Sequence, residues 1–323
     1  MQVLRVIKKQ KKRRLTMSDQ FKGIELVWLT ETDLTNLNAG EGGTNIVDVK
    51  KFRKQGVEYP YVSGQAMRFY LRESVRRELP ESTFMCTPND KGETCGDISK
   101  CWNCDLFGFM TTIRGTGAVT RVSPVKVSPA IGLLPLDDNS TIDFLTRKKR
   151  VEAGEKAKGD IVNVELGVNI YKCGISIDVQ RIGYEEEVDQ DSKVLKFVDK
   201  LNNNGAERNL RIRSVVSGIK YLADYSKQAR LLTDFTPDVI LGAVQQRYSH
   251  RLQKAFEIDN NKNLNIERFK SIINDMKGYG TIYFGLLPGL LNNEQQVKKI
   301  AAELELEVLQ PQEVFEKIIN SIG

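Results

Sequence analysis

Hydrophobic and polar positions alternate along this chain in patterns that predict strands. GIELVWLT (23–30) is apolar and rich in β-forming residues, which predicts a first strand. IVNVELGVNI places its apolar residues at even positions from 162 to 170, whereas ISIDV places them at odd positions from 175 to 179. We interpret this switch as two strands joined across residues 172–174, with Cys173 a buried or half-buried thiol at the crossover.

A helix is predicted after Ser63, which is a favoured N-cap residue, with its end at Pro80. One face of this helix is apolar, and another carries Arg68, Arg72 and Arg76 at i, i+4, i+8 spacing. Such a stripe is ordinarily a solvated helix face. Its position beside a loop rich in glycine and lysine, and at a helix N-terminus, instead favours contact with phosphate.

Helical spacing also predicts helices at about 207–225, at 266–276, and near the C-terminus at about 293–306 and 312–321, with a strand in YGTIYFGLLPG. Strands and helices in this order, without regular alternation, predict an α+β fold.

The composition, 40% hydrophobic and 28% charged over 323 residues, is that of a soluble globular protein, and no apolar run is long enough to span a bilayer. We therefore expect a cytoplasmic protein. Residues 1–16 hold seven basic and no acidic residues, which accounts for the basic excess, since 48 − 7 leaves 41 bases against 42 acids. This basic leader is either a disordered arm or a misplaced start, and residues 17–323 are predicted to form a single domain with insertions.

The residues available for chemistry exclude several enzyme classes. The single histidine, His250, disfavours histidine-based nucleases and Ser-His-Asp hydrolases. AGEGGTN (39–45) lacks the G-K-[ST] ending of a nucleotide-binding P-loop. This glycine loop is either a turn or backbone that approaches a phosphate, and the basic residues at 50–54 favour the second interpretation.

Four of the five cysteines fall within CTPNDKGETCGDISKCWNC, in what we call the cysteine loop (about residues 80–116). A tetrahedral thiolate set suits structural zinc in a compartment where disulfides are disfavoured. Reduced free thiols, or a redox or cluster role, are the alternatives. A full thiolate shell leaves no position for water or substrate, so the predicted zinc is structural. The candidate ligands are Cys86, Cys95, Cys101 and Cys104.

PYVSGQAMRFYLRE, the C-x-x-C pair and DLFGFM together resemble the RAMP superfamily of CRISPR-associated proteins. More narrowly, the chain is similar to the DevR-type Cascade backbone subunit, the Cas-seven family, of a type I-B-like system. TNLNAGEG, VNVELGVNIY, ISIDVQRIG and QARLLTDFTPD support the resemblance, which runs over about residues 21–290.

The resemblance implies a ferredoxin-like RRM core (the palm), a fingers insertion at about 80–116 that contains the cysteine loop, and a protruding β-hairpin thumb at about 133–160. It also implies that the loop after the first strand and the first helix grip guide RNA, while the thumb inserts an apolar wedge. The implied RNA-binding residues are Asn36, Asn38, Lys50, Lys51, Arg53, Ser63, Gln65, Arg68, Arg72, Phe144, Arg147, Lys148, Lys149, Lys227, Gln228 and Arg230.

The function expected from this resemblance is a non-enzymatic subunit that polymerises along CRISPR RNA in a right-handed helical filament and presents the guide to target DNA. Its expected partners are the guide RNA, target DNA through the guide, copies of itself, and the handle-binding cap, large and small subunits of Cascade. No membrane partner is expected. Two other functions are a type III-like backbone that cleaves target RNA through Asp48, and a stand-alone, zinc-stabilised regulator that binds nucleic acid.

Overall fold

Strands and helices alternate irregularly along the residues that the computed structural model describes, which are 21–36, 46–113, 117–148, 159–189, 191–225 and 231–323. The strands are β1 (Gly23–Thr35), β2 (Ile46–Val47), β3 (Lys51–Lys54), β4 (Val57–Val62), β5 (Phe109–Ile113), β6 (Gly117–Arg121), β7 (Val125–Val127), β8 (Ala130–Gly132), β9 (Ser140–Lys148), β10 (Gly159–Asp178), β11 (Tyr184–Val188), β12 (Leu195–Asp199), β13 (Val239–Gln245), β14 (Gly280–Leu286) and β15 (Val308–Leu309). The helices are α1 (Gly64–Glu78), α2 (Trp102–Phe107), α3 (Gly205–Lys220), α4 (Ile266–Met276), α5 (Glu294–Glu303) and α6 (Pro311–Ser321).

One mixed sheet is the framework of the fold, with strand order β15-β14-β13-β1-β10-β8-β4-β3. β1 pairs antiparallel with both β10 and β13, and β14 continues the antiparallel pairing at β13. β2, β7 and β9 pair with other parts of β10, so this strand organises much of the sheet. The mixed content of strands and helices confirms the α+β class. The predictions for the basic leader at 1–16 lie outside the described residues.

The prediction of two strands joined across residues 172–174 is wrong, because the chain continues there as a single strand, β10. The paired residues run without a break from Asn169 opposite Thr32 to Asp178 opposite Gly23. The even-to-odd switch arises because the two halves of β10 turn different faces to an apolar core. Ile170, at an even position, contacts one core, whereas Tyr171, Cys173 and Ile175, at odd positions, contact the other on the opposite face. Cys173 is buried, as predicted.

Helices cover both faces of the sheet. In β1, Ile24, Leu26 and Trp28 point to a core closed by α1, α3 and α6, whereas Val27 and Leu29 point to a core closed by α4 and α5. Because successive strand residues face opposite sides, a strand inside such a sheet is apolar at nearly every position. This explains the continuous apolar run that predicted β1.

The predicted helices form, with small differences at their ends. α4 buries every apolar residue that its spacing placed on one face, and Asn265 caps it by accepting a hydrogen bond from the backbone of Arg268. α3 begins after the Asn204 cap and ends at Lys220, before the predicted 225. No helix in the described part of the chain is long and apolar enough to cross a membrane.

Two segments extend from this framework near the candidate site. The cysteine loop follows α1 and contains α2 and β5, and β5 pairs with β6 directly after the loop. Farther along the chain, β9 pairs with the first half of β10 as a long antiparallel hairpin. The cysteine loop and the β9–β10 hairpin, together with α1, carry the residues of the candidate site.

Candidate nucleic-acid interface and metal centre

Helix α1 is capped at its N-terminus and buried along one side, so the orientation of its polar face is fixed. The Ser63 side chain accepts a hydrogen bond from the backbone N–H of Ala66 at 3.2 Å, as an N-cap does. Ser74 Oγ donates to the carbonyl of Gly218 at 2.7 Å, which joins α1 to α3. The remaining free N–H groups at the start of the helix favour a negative charge at this end.

A groove of about 970 Å³ lies between α1 and the cysteine loop. It brings together residues from the β2–β3 segment, the start of α1, the cysteine loop and β6, which are far apart in sequence. We call it the arginine groove. Its lining includes five residues of the predicted RNA-binding set, which are Lys50, Ser63, Gln65, Arg68 and Arg72.

The two arginines of the groove are held in a partly dehydrated environment. Arg68 donates to the carbonyl of Phe107, and burial together with the neighbouring Arg72 lowers the pKa of Arg68. Burial also lowers the pKa of Arg72, whose nearest carboxylate oxygen, on Glu73, is 4.0 Å from its Nε. Two cations with little neutralisation therefore line a groove at a helix N-terminus, and a bound anion would stabilise both.

Other basic residues of the predicted set are already compensated by carboxylates. Lys51 lies 3.3 Å from Glu58 and 3.9 Å from Glu165, measured from its Nζ to the nearest carboxylate oxygen. Arg53 donates to Glu58 at 2.9 Å. Unlike Lys50, these two residues do not line the arginine groove.

Asn36 lies beneath the surface and not in the groove. Its side chain is buried, and its Nδ2 donates to the carbonyls of Val47 at 3.2 Å and Glu165 at 2.9 Å. Asn36 therefore joins the end of β1 to β2 and β10, and in this way it positions β2 within the main sheet. Asp48, the candidate for RNA cleavage, is half-buried between β2 and β3.

The hairpin of β9 and β10 carries the predicted wedge. The Phe144 side chain is 68% exposed and stands opposite Asn163 in the β9–β10 register. The backbone of Arg147 and Lys148 belongs to β9, and their side chains are outside the described part of the structure. Also outside the described residues are Asn38, Lys149, Lys227, Gln228 and Arg230.

The four cysteines of the loop converge on one point, with all four sulfur atoms within 4.8 Å of one another. The Cys104 sulfur lies 3.7 Å from that of Cys86 and 3.5 Å from that of Cys95. Four thiolates around a tetrahedral ion with bonds of about 2.3 Å would stand about 3.8 Å apart. The cluster therefore has the size and the donor set of a four-thiolate metal centre.

The thiols of the cluster differ in acidity. Hydrogen bonds lower the pKa of Cys101 to about 5, first from the Cys104 thiol and then from the backbone N–H groups of Cys86 and Cys104, against the effect of burial. Burial raises the pKa of Cys95 to about 11, and the hydrogen bond to Cys101 raises that of Cys104. Thiols bind a metal ion as thiolates, so an ion held by the four cysteines would release their remaining protons on binding.

A buried ionic network next to the cysteine cluster was not predicted from the sequence. Asp105, with no exposed surface, accepts from Arg121 and from Arg211 at 2.6 Å each. Its two oxygens also accept from the backbone N–H of Gly183 at 2.9 and 3.0 Å. Because Asp105 directly follows Cys104, the network fixes the end of the cysteine cluster.

The two arginines of this network connect the cysteine loop to the rest of the fold. Arg211, on α3, donates to the carbonyls of Ile98 at 2.8 Å and Ser99 at 3.0 Å. Arg121 donates to the carbonyl of Tyr184 at 2.6 Å and also lines the arginine groove. One set of buried charges therefore joins the cysteine cluster, the β11–β12 hairpin and the arginine groove.

The sequence carries a signal for this network. In α3, Arg208 and Arg211 share the helical face of Ile212 and Val215, which are buried, and both arginines are buried as well. Charged residues on an apolar stripe are seldom buried without a partner, so they predict a buried carboxylate. Arg211 pairs with Asp105, which stands in the D-L-F-G motif, and Arg208 pairs with Asp199 at 3.2 Å.

Comparison with known proteins places the fold. Chains of two solved structures superpose on this one over 93% of its length and 100% of theirs: a "CRISPR RNA-guided surveillance complex" at 12% identity and TM-score 0.56, and a "CRISPR RNA-guided surveillance complex, pre-nicking" at 10% and 0.59. No curated protein matches the sequence. The fold is therefore that of chains in CRISPR RNA-guided surveillance complexes.

The family is defined by sequence. The model of the "CRISPR-associated negative auto-regulator DevR/Csa2" family matches residues 30–250, which is more than half of the chain. The protein belongs to the DevR/Csa2 family of CRISPR-associated proteins, as the motifs around α1 and the cysteine loop indicated.

Proposed function

We propose that this chain is a guide-RNA-binding backbone subunit of a Cascade-type surveillance complex. Several copies assemble along the CRISPR RNA with the other Cascade subunits, and the complex presents the guide for pairing with target DNA. The observation that carries the proposal is the arginine groove, in which Arg68 and Arg72 stand beside the capped N-terminus of α1 with little neutralisation. Family membership and the shared fold support it.

Binding in the groove would depend on the RNA backbone and not on base sequence. A subunit that serves many guides has to contact phosphates, which every nucleotide provides. Arg72 and Lys50 would supply charge, and the helix N-terminus would supply N–H donors. The expected binding is therefore strongly dependent on salt and indifferent to sequence.

In this proposal the main sheet is the RRM-like palm, the cysteine loop belongs to the fingers, and the β9–β10 hairpin is the thumb. The exposed Phe144 is the apolar wedge, with Ile142 and Ile161 exposed on the same face of the hairpin. A side chain of this kind can displace one base from the stack and leave its neighbours held for pairing.

Zinc is the metal that best suits the cysteine cluster, since four soft thiolate donors at tetrahedral spacing are its usual structural ligands. It would be held by Cys86, Cys95, Cys101 and Cys104, and its contribution would be to stabilise the fold of the loop. Asp105 and Arg211 would orient the loop against α3.

Two other functions are separated from this one by experiment. RNA cleavage through Asp48 predicts periodic products from matched RNA and divalent metal that disappear in Asp48→Ala. A stand-alone regulator, in keeping with the words "negative auto-regulator" in the family description, predicts a discrete oligomer on DNA without bound RNA. Extracting and sizing the nucleic acid from the purified protein distinguishes these cases, because the proposed function requires RNA of guide length.

A substitution in the groove tests the site itself. Arg72→Ala should weaken RNA binding about tenfold or more, because a charge-assisted hydrogen bond contributes at least about 1.5 kcal/mol. The slope of log affinity against log salt should fall by about 0.7.

Lys299→Ala is the matched control for charge, since Lys299 is an exposed cation on α5 outside the groove. Equal effects of the two substitutions, or binding that follows base sequence, would contradict the proposal.

A further inference from the structure

A group of aromatic rings lies at the β3 edge of the main sheet, outside the arginine groove. Phe52 stacks on Tyr59 with ring centroids 5.7 Å apart, and it meets Tyr61 edge-on at 6.1 Å. All three side chains are half-buried, so part of each ring surface is open to solvent. None of them is among the residues lining the groove.

The pairing of the strands decides which face these rings occupy. Tyr61 pairs with Ile131, and Ile131 pairs with Lys172 on β10, so the three share one face of the sheet. The adjacent residues Val62 and Tyr171 belong to the core under α1 and α3. The rings therefore face the side of the sheet that is opposite α1.

Three cations stand on or beside the same face. Lys54 ends β3 two residues after Phe52 and so points to the same side, and Lys172 lies about 10 Å from Tyr61, two strand spacings away. Arg268, on α4, covers this side and lies close enough to Lys172 to lower its pKa, together with burial. Glu257 opposes that effect and forms an ion pair with Arg268 at 3.3 Å.

Lys172 has no ion pair within 4.0 Å among the described residues, although it is half-buried beside other cations. A protein places a cation in such a position at a cost unless an anion completes it. Partly exposed rings beside cations are the two components of a surface that binds single strands, since bases stack on the rings and phosphates meet the cations.

We propose that Phe52, Lys54, Tyr59, Tyr61, Lys172 and Arg268, here called the aromatic patch, form a second nucleic-acid-binding surface that takes single-stranded nucleic acid of any sequence. The patch is separate from the arginine groove and lies on the opposite side of the sheet. A chain holding its guide in the groove would thus have a second surface for another single strand. This inference goes beyond the proposed function and does not depend on it.

Binding of fluorescent oligothymidylate to the full chain, purified with its own nucleic acid, tests the patch. Tyr61→Leu keeps an apolar body without the flat ring, and Lys172→Gln removes the charge at similar length. Each should weaken binding at least about fivefold, which is the smallest effect expected for the loss of one base stack. Lys299→Ala, the same control as above, should leave it unchanged.

Photo-crosslinking locates the strand independently of affinity. Oligothymidylate that contains 5-iododeoxyuridine should crosslink to the peptide that carries Tyr59 and Tyr61 and should still do so in Arg72→Ala. Crosslinks confined to groove residues, or unchanged affinity in both patch variants, would overturn the inference. A change in sedimentation without a change in oligothymidylate binding would also overturn it, because the patch would then be a protein interface.

Loss of guide-length RNA from the purified protein would count against the proposed function alone. Loss of oligothymidylate binding in Tyr61→Leu with guide RNA retained would support the patch alone. The two proposals can therefore fail separately.

Discussion

Asp105→Asn should be among the most destabilising single substitutions in this protein, although it changes one atom. The carboxylate has no exposed surface and balances the guanidinium groups of Arg121 and Arg211, each at 2.6 Å. Asparagine keeps the shape and removes the charge. Arg121 then loses its ion pair with Asp105, Arg211 keeps only Glu207 at 3.0 Å, and one of the two arginines faces an N–H₂ group in place of an acceptor.

The magnitude follows from these contacts. Breaking a buried ion pair by removing one partner costs about 3–5 kcal/mol. Here one change removes an ion pair from each of two cations, of which Arg211 retains Glu207, so we expect about 3 kcal/mol, the lower end of that range. At about 2 °C per kcal/mol for a chain of this size, the melting temperature should fall by roughly 6 °C or more.

Urea unfolding followed by tryptophan fluorescence is a suitable assay, because Trp102 lies against Arg211, whose guanidinium carbon is 5.6 Å from the ring centroid. Asp90→Asn, at an exposed position of the same loop, is the control and should change stability by less than about 0.5 kcal/mol. If Asp105→Asn lost less than about 1 kcal/mol, the network would not hold the loop, and the reasoning from buried charge would be refuted.

Two further predictions follow from the metal cluster and from a buried carboxyl. Metal analysis should find about one zinc per chain. Cys101→Ser should lose the zinc and make the loop more sensitive to limited proteolysis, whereas Cys173→Ala, outside the cluster, should retain the zinc. A well-folded wild-type protein without metal would contradict the zinc assignment. Burial raises the pKa of Glu25 above its usual 4.5, so the folded chain holds this proton to a higher pH than the unfolded chain. The contribution of Glu25 to the free energy of unfolding is therefore greatest below pH 4.5 and declines as the pH rises through the folded pKa. Glu25→Gln should remove that decline in urea unfolding measured at several pH values. The same pH profile in the wild type and in Glu25→Gln would refute this prediction.

Local elements could be predicted because local residues decide them. Ser63 caps α1 and Pro80 follows its end, and the apolar spacing of α4 matches its buried face. The cysteine cluster was predictable because the four thiols lie within one short loop of the sequence. The resemblance to the CRISPR family rested on motifs in the same region, and the DevR/Csa2 match confirms it.

The interpretation of β10 shows where local patterns stop. An even-to-odd switch predicts a break in a strand that has one apolar face, but β10 continues unbroken while its apolar side chains pass from one core, at Ile170, to the other, from Tyr171 onward. Coverage by α4 on one side and α1 on the other is a property of the assembled sheet, which no window of the sequence contains.

The sequence by itself determined where the helices lie, the α+β class, which four cysteines cluster and the family, because each depends on residues that are close together along the chain or on short motifs. The tertiary structure alone decided how closely each cation is compensated. It pairs Lys51 and Arg53 with Glu58, leaves Arg72 in the groove with Glu73 at 4.0 Å, and brings Asp105 to Arg211 across 106 positions. The energy of an electrostatic interaction depends on the distance between the charges and on their burial, so it is known only once the chain has folded.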